Sequence, residues 1–391
     1  MTVTDWLLAV ALFLVAYPYL VYPLALWGCA AVIREDAMSR GVPPGVTASV
    51  VVAAHDEEGS VRRRLEELRA VVAASRVPAE LILVSDGSTD GTVEAARSVA
   101  GVRVIALAAN GGKALALNEG VLRAGGDIVV FGDVRQSWAS DALERLLENF
   151  DDPRVGAASG ELFLTPGGGA NAGVGLYWRF EKWMRKHESR IHSTVGVTGA
   201  ICAVRRDLFR PLPAGTILDD VRWPLSVAMA GYRVVYDGRA HAFDTLPAAA
   251  RDEFMRKLRT LVGNYQLLWA MPEAVLPWRD PVWFQLVSHK FARLLVPWAL
   301  LTVLAASAAQ VHEPLYRGLL AAQVAAYGAA GLGLLLGRRC RWRPLSAASS
   351  FVVLNAAAFA AFFVWAFGWE RGAWRKVTYR GTRPPGEKGL E

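Results

Sequence analysis

Cysteine is scarce in this sequence: Cys29, Cys202 and Cys340 are all it has, and none stands at metal-ligand spacing from another. A disulfide framework and a cysteine-held zinc site are thereby excluded. Charge is also thin. Asp, Glu, Lys and Arg make up 20% of the 391 residues, where an average soluble domain has roughly 25%. The shortage is local, because nothing between Asp5 and Arg34 is charged. A soluble N-terminal segment is not compatible with that stretch, and a secretory signal is not either, since the run is too long and has no basic leader. It reads as a retained anchor.

What is present is apolar. Hydrophobic residues account for 53% of the chain, with 14 Trp. Residues 4–33 hold enough apolar length to cross a bilayer, which takes about 20 residues. Three later stretches, roughly 283–310, 316–337 and 349–369, have the same character. The net charge of +7 sits beside these stretches, so it implies headgroup contact and membrane topology rather than nucleic-acid binding.

The polar middle alternates strand and helix. TASVVVAA (47–54) is a short valine-rich run bounded by Pro44 and HDEEGS, which predicts a buried parallel strand. Ser60 is placed to cap a helix whose Val61, Leu65, Leu68 and Val72 share a face. ELILVSD, VRVIAL and DIVVFGD predict three more strands, with helices over TVEAARSVA and KALALNEGVLRA. This pattern implies an α/β domain: a mainly parallel sheet with helices on both faces. Ligands in such sheets bind beyond the carboxyl ends of the strands. Asp56, Asp86 and Asp133 all lie there. Three acids at one sheet edge repel one another unless something cationic joins them, and a divalent metal carrying a diphosphate would fit.

HDEEGS, VSDGSTDGT, NGGKALALNEG, FGDVRQ, TGAICAVRRDLF and LDDVRWPLSVAMAGYRVVYD occur in the order seen in family-2 glycosyltransferases. Over roughly residues 47–260 the chain resembles that family, and its flanking apolar segments resemble the membrane-bound branch of hyaluronan, chitin and cellulose synthases. The resemblance implies a GT-A-type Rossmann-like nucleotide-sugar domain with transmembrane and interfacial helices. It implies donor binding by His55, Asp56, Glu57, Asp86, Lys113, Asp133 and Arg135: His55 at the position that stacks on uracil, Asp86 on the base edge, Lys113 near the phosphates, and Asp133 on ribose and metal. Gly199 and Ala200 resemble the segment lining the acceptor site. Asp220 resembles the general base, with the like-charged Asp219 beside it, in a single displacement that inverts the anomeric centre. The implied cofactor is Mg2+ or Mn2+.

Two departures from the pattern stand out. Arg135 occupies the position of the second D-x-D acid, so either the metal rests on Asp133 and a later residue, with His241 as a candidate ligand, or Arg135 neutralises phosphate itself. The Q-x-x-R-W signature of processive synthases is represented by RKLRTLVGNYQLLW, where Arg256 and Arg259 fit but Thr260 replaces the acceptor-stacking Trp. Gln266 or Trp269 are the expected substitutes in the acceptor site.

These readings divide the chain into an N-terminal transmembrane helix (1–34), a cytoplasmic catalytic domain (45–247), interfacial amphipathic helices (248–282), up to three C-terminal transmembrane helices (283–370) and a basic tail (371–391). His289, Lys290 and Arg293 are expected at headgroup level. The basic segments 338–343 and 370–383 both favour the cytoplasm, which three full spans do not allow; one stretch is re-entrant or the tail departs from the rule. The expected activity is transfer of sugar from a UDP-sugar to a growing glycan or a lipid at the cytoplasmic face of the membrane. The leading reading is a processive polysaccharide synthase, and the alternative is a glycolipid synthase adding one sugar. A non-catalytic scaffold is disfavoured by the intact Asp86, Lys113 and Asp220.

Overall fold

A computed structural model describes residues 2–33, 41–165, 172–245, 250–336 and 342–369. The N-terminal apolar run forms α1 (Val3–Ala16) and α2 (Tyr22–Val32), joined without a break by a π-helical turn at Tyr17–Val21. Pro18 lies within that turn and Pro23 two residues past it, and proline removes the amide that a regular α-ladder needs, which accounts for the local widening.

The polar middle folds as β1 (Ala48–Ala54), α3 (Glu58–Ala74), β2 (Ala79–Ser85), α4 (Thr92–Arg97), β3 (Val102–Ala106), α5 (Lys113–Arg123) and β4 (Ile128–Asp133). It continues through β5 (Ser137–Trp138), α6 (Ala142–Glu148), β6 (Val155–Thr165), α7 (Ala172–Ile191), β7 (Ile201–Arg205), α8 (Asp219–Met229) and β8 (Arg233–Thr245). One sheet results, ordered β3-β2-β1-β4-β7-β6-β8-β5. Its first four strands are parallel, as the sequence pattern implies, while β7 runs antiparallel to both β4 and β6. Six of the seven residues of β1 are buried, which is why it reads as an unbroken valine run rather than an alternating one.

Helices cover both faces. On one, α3 buries Val61, Leu65, Leu68 and Val71 against β1 and β2 side chains, each side chain contributing about 1.5–3 kcal/mol of transfer free energy. On the other, Ala114 and Leu117 of α5 and Trp223 and Leu225 of α8 close the core. One expectation fails here: Ser60 does not cap α3. The helix starts two residues earlier, at Glu58, and the Ser60 hydroxyl instead bonds the Glu57 carboxylate at 2.8 Å.

Beyond the sheet come α9 (Ala250–Ala270), α10 (Trp283–Leu286), a second π-turn at Val287–Phe291, α11 (Ala292–Ala309), α12 (Pro314–Leu336) and α13 (Arg343–Ala366). Four helical stretches are long and apolar enough to span a bilayer: Val3–Val32, Trp283–Ala309, Pro314–Leu336 and Pro344–Ala366. The chain is thus an α/β domain joined to four helices long and apolar enough to span a bilayer. Arg34, Arg40, residues 338–341 and the basic tail 371–391 lie outside the described residues, and with them most of the charge on which the conflicting topology expectations rest.

Candidate active site

The strand ends gather the expected acids. β4 stops at Asp133, and α5 begins at Lys113 directly opposite. The Lys113 ammonium lies 2.9 Å from Asp133 Oδ1 and 3.6 Å from Asp219 Oδ2, so one cation bridges two carboxylates. Burial alone would pull the Lys113 pKa down, but Asp133 and Asp219 overcome it and push it up, so the lysine is held charged. Gly199 leaves room for this ammonium: a Cβ there would stand in tight contact with it, at 3.2 Å. Its neighbour Ala200 is buried, and its carbonyl accepts the Trp138 indole N–H at 2.8 Å.

Asp219 and Asp220 open α8, where the helix N-terminus favours negative charge. Asp220 nevertheless titrates high. Burial and then the adjacent Asp219 push its pKa up to about 6, against the opposing pull of Lys113, Lys290 and Arg185. A carboxylate poised near neutrality suits proton abstraction. Its backbone carbonyl is fixed by the Val197 amide at 2.8 Å. Lys113, Phe131, Gly199, Cys202, Asp219 and Asp220 line a common pocket. Burial raises the Cys202 thiol well above its ordinary value, so it stays protonated and serves as packing rather than as a nucleophile.

The nucleotide end is organised by loops. Both Asp86 oxygens accept backbone amides, from Gly111 at 2.8 Å and Gly112 at 2.9 Å, which pins the loop ahead of Lys113. Gly87 is required there: its φ is +59°, and a Cβ would come within 2.3 Å of the Ala109–Asn110 backbone. The His55 ring is held by the Asp86 carbonyl at 2.7 Å and by Asn110, which the sequence reading did not single out. Asp56, at φ +52°, takes the Thr89 amide at 2.8 Å, and the Glu57 amide donates to Thr92. A non-glycine residue in the left-handed region at a strand end is strained backbone at a functional place.

Other expected residues fall elsewhere. Arg135 is exposed at the β4–β5 turn. His241 lies on β8, its Nε2 against the Gly238 carbonyl at 2.8 Å and its ring against Phe163. Arg256 lies over Trp178, Arg259 is half-buried, and Trp269 is 78% exposed with Trp365 beside it. The Gln266 amide is tied to the Ile217 N–H at 2.9 Å and the Gly215 carbonyl at 2.9 Å, so it clamps the segment leading into Asp219 and Asp220. Among the described residues, no three His, Cys, Asp or Glu side chains gather as a metal cage.

Sequence reasoning missed α7. Its Glu181 and Glu188 are buried and meet His289 of the second π-turn, at 3.0 Å and 2.7 Å. Arg293 also pairs with Glu181, and the Tyr22 hydroxyl of α2 donates to Glu188 at 2.7 Å. Burial would raise both glutamates, but Arg293 and His289 hold Glu181 well below its ordinary range, and His289 and Tyr22 lower Glu188. The spacing of Tyr177, Glu181, Met184 and Glu188 along one helical face was the available signal.

Residues 49–212 match the profile of Glycosyl transferase family 2. A poly-beta-1,6-N-acetyl-D-glucosamine synthase of Staphylococcus aureus is 22% identical over 227 residues, covering 56% of this chain and 54% of that protein. The enzyme of the same name from Staphylococcus epidermidis is 21% identical over 229 residues, 56% of this chain and 55% of that one. The chain therefore spans about half the length of the curated relatives it matches. A mannosyltransferase from Pyrobaculum calidifontis, solved in complex with GDP-Man and Mn2+, superposes with a TM-score of 0.69 at 24% identity, over 93% of this chain and 99% of that one. That likeness extends the shared fold from the sheet into the helices around it. The order of the strands and these likenesses agree on a GT-A-like fold, within which residues 49–212 match the family 2 glycosyltransferase profile.

Proposed function

We propose that the protein transfers a sugar, with inversion, from a nucleoside diphosphate donor to an acceptor hydroxyl on a membrane lipid at the cytoplasmic face. One observation carries this reading. Asp220 shares a pocket with Lys113, and Leu218 and Val221 on either side of it pack in one core with Leu286, Phe291 and Leu294 of a helix long enough to span a membrane. This supports a base that works beside the apolar helices, within reach of an acceptor held there.

In this reading His55 and Asp86 order the base-binding loop, and Lys113 offsets the charge that builds on the departing diphosphate. Asp220 accepts the proton of the attacking hydroxyl while Asp219, neutralised by Lys113, leaves Asp220 as the free base. Mg2+ is held through one or two carboxylates plus substrate phosphates. Asp133, half-exposed beside the ammonium of Lys113, fits that short donor set, and the ion would supply further charge neutralisation at the diphosphate. The resemblance favours a uridine donor; the similar mannosyltransferase carries GDP-Man, so both belong in the test.

A polymer-forming reading is favoured by the names of the curated relatives. The lipid reading has support from the helices. Trp298 of α11 packs on Phe359, Phe362 and Phe363 of α13 at 4.9–6.1 Å, and Tyr265 stacks on Trp365, so rings fill the seam beside the site. Membranes carrying the protein, given radiolabelled UDP- and GDP-sugars and then extracted, separate the two. A single labelled sugar in the lipid phase is the expected product; long water-soluble label would replace this reading with polymer synthesis.

A further inference from the structure

The buried face of α3 holds a charge among apolar residues. Val61, Leu65, Leu68 and Val71 lie along it, and so does Arg64, which is 2% exposed. The Arg64 Nε donates to the Asp133 carbonyl at 3.4 Å, at the end of β4. Its guanidinium carbon stands 5.1 Å from the centre of the Trp138 ring on β5, within cation–π range. Glu67 pairs with Nη1 at 3.6 Å, and neither Nη makes a hydrogen bond among the described residues. An apolar side chain would fill this position without desolvating a charge, whereas a buried cation short of acceptors costs free energy. What the arginine adds is a donor to the Asp133 carbonyl and a charge against the indole.

The indole is held as closely. Trp138 lies against Gly132, where a Cβ would come within 2.7 Å of its ring. Its N–H donates to the Ala200 carbonyl at 2.8 Å, so the ring links the end of β4 to the segment that enters β7. Asp133 follows Gly132 and pairs with the Lys113 ammonium at 2.9 Å, and Gly199 precedes Ala200 and abuts the same ammonium. Arg64 and Trp138 pack with Leu65 in the core on one face of the sheet. Leu117, Phe131, Cys202 and Trp223, which line the pocket of Lys113 and Asp220, belong to the core on the other face. The pair thus reaches the site from behind, through two backbone carbonyls.

We propose that Arg64 and Trp138 are positioning residues for sugar transfer. Acting from the far face of the sheet, they hold Asp133 and the Gly199–Ala200 segment at the spacing across which Lys113 bridges Asp133 and Asp219. This assignment rests on the transferase reading above. Neither residue touches a reacting atom, so their contribution is alignment, and a displacement of about 1 Å in a site can lower a rate by about 10^2-fold. The nucleotide loops are tied separately, through the bonds of Asp86 to the Gly111 and Gly112 amides. Loss of alignment should therefore appear in kcat rather than in the KM of the donor.

The test uses the full chain in detergent micelles with added membrane lipid and the nucleotide sugar found to be consumed. Rates are expressed per molecule able to bind nucleoside diphosphate, so unfolded protein does not count. Arg64→Met keeps an apolar stem and removes the charge and the donor, and Trp138→Phe keeps a ring and removes the N–H. Each should lower kcat by about 10–100-fold, the range for groups that orient a site from behind, with the donor KM nearly unchanged. Arg64→Lys restores a charge and a donor and should recover part of the loss. Glu67, the ion partner, is 41% exposed, so removing the guanidinium leaves no buried charge unpaired, and Arg64→Met should melt no lower than the wild type. An unchanged kcat in either variant, or an effect confined to KM, would overturn the role of that residue. A lower melting temperature with kcat intact would make the pair core packing and overturn the proposal, with the transferase reading left standing. A wild type that consumes no donor would overturn the transferase reading itself.

Discussion

At the scale of single residues, the proposed reaction rests on Asp220 and Lys113. Removing the carboxylate as Asp220→Asn should cut the transfer rate by about 10^2–10^4-fold, the range for loss of a general base, with nucleotide binding retained. The pH profile follows from the raised pKa. The base works only when ionised, so activity should be full well above pH 6, near half its maximum at about 6, and fall further as pH drops. A profile flat through pH 5 would remove Asp220 from the role. Gly199→Val should be nearly as damaging as loss of Lys113, because a side chain there meets the ammonium that bridges Asp133 and Asp219; donor turnover checks it. These residues were legible because acids at strand ends and a lysine at a helix start announce themselves in sequence order. Asn110 was not, since its contact with His55 spans 55 positions and leaves no local pattern.

At the scale of elements, two helices position the site without supplying its chemistry. α9 reaches it through Gln266, whose amide holds the 215–217 segment. Gln266→Leu should leave nucleotide affinity nearly unchanged and lower kcat several-fold, a split that a stopped assay with bound-nucleotide controls resolves. α7 joins the sheet to the membrane helices through Glu181 and Glu188. Glu188→Gln takes one partner from a buried pair, which should cost about 3–5 kcal/mol and lower the melting temperature in detergent. Because both glutamates titrate low, their stabilisation is complete at neutral pH and is lost as pH falls through the carboxylate range, so the mutational difference should shrink in acid. The parallel half of the sheet was legible as valine runs between helix signals. The antiparallel β7 and the α7 network were not. β7 is as buried as a parallel strand, and ion pairs between residues about 100 positions apart are set by packing alone.

At the scale of the whole molecule, the polar domain and the apolar helices meet along α7 and α9. The two π-turns, Tyr17–Val21 and Val287–Phe291, touch through the Tyr17 and Ser288 hydroxyls at 2.8 Å, and the second of them carries Lys290. Widened turns of this kind recur at functional places in helices. Apolar length marked in advance the four helices long and apolar enough to span a bilayer, though α13 starts at Arg343 rather than near residue 349, since length and composition do not fix where a helix begins. The most direct test of the account is release of nucleoside diphosphate from a panel of UDP- and GDP-sugars by wild-type membranes and by membranes carrying Asp220→Asn. The account predicts that one donor is consumed by the wild type, with matching sugar in the lipid phase, and that the variant binds that donor but barely turns it over. Equal turnover by the two, or none with any donor, would contradict it.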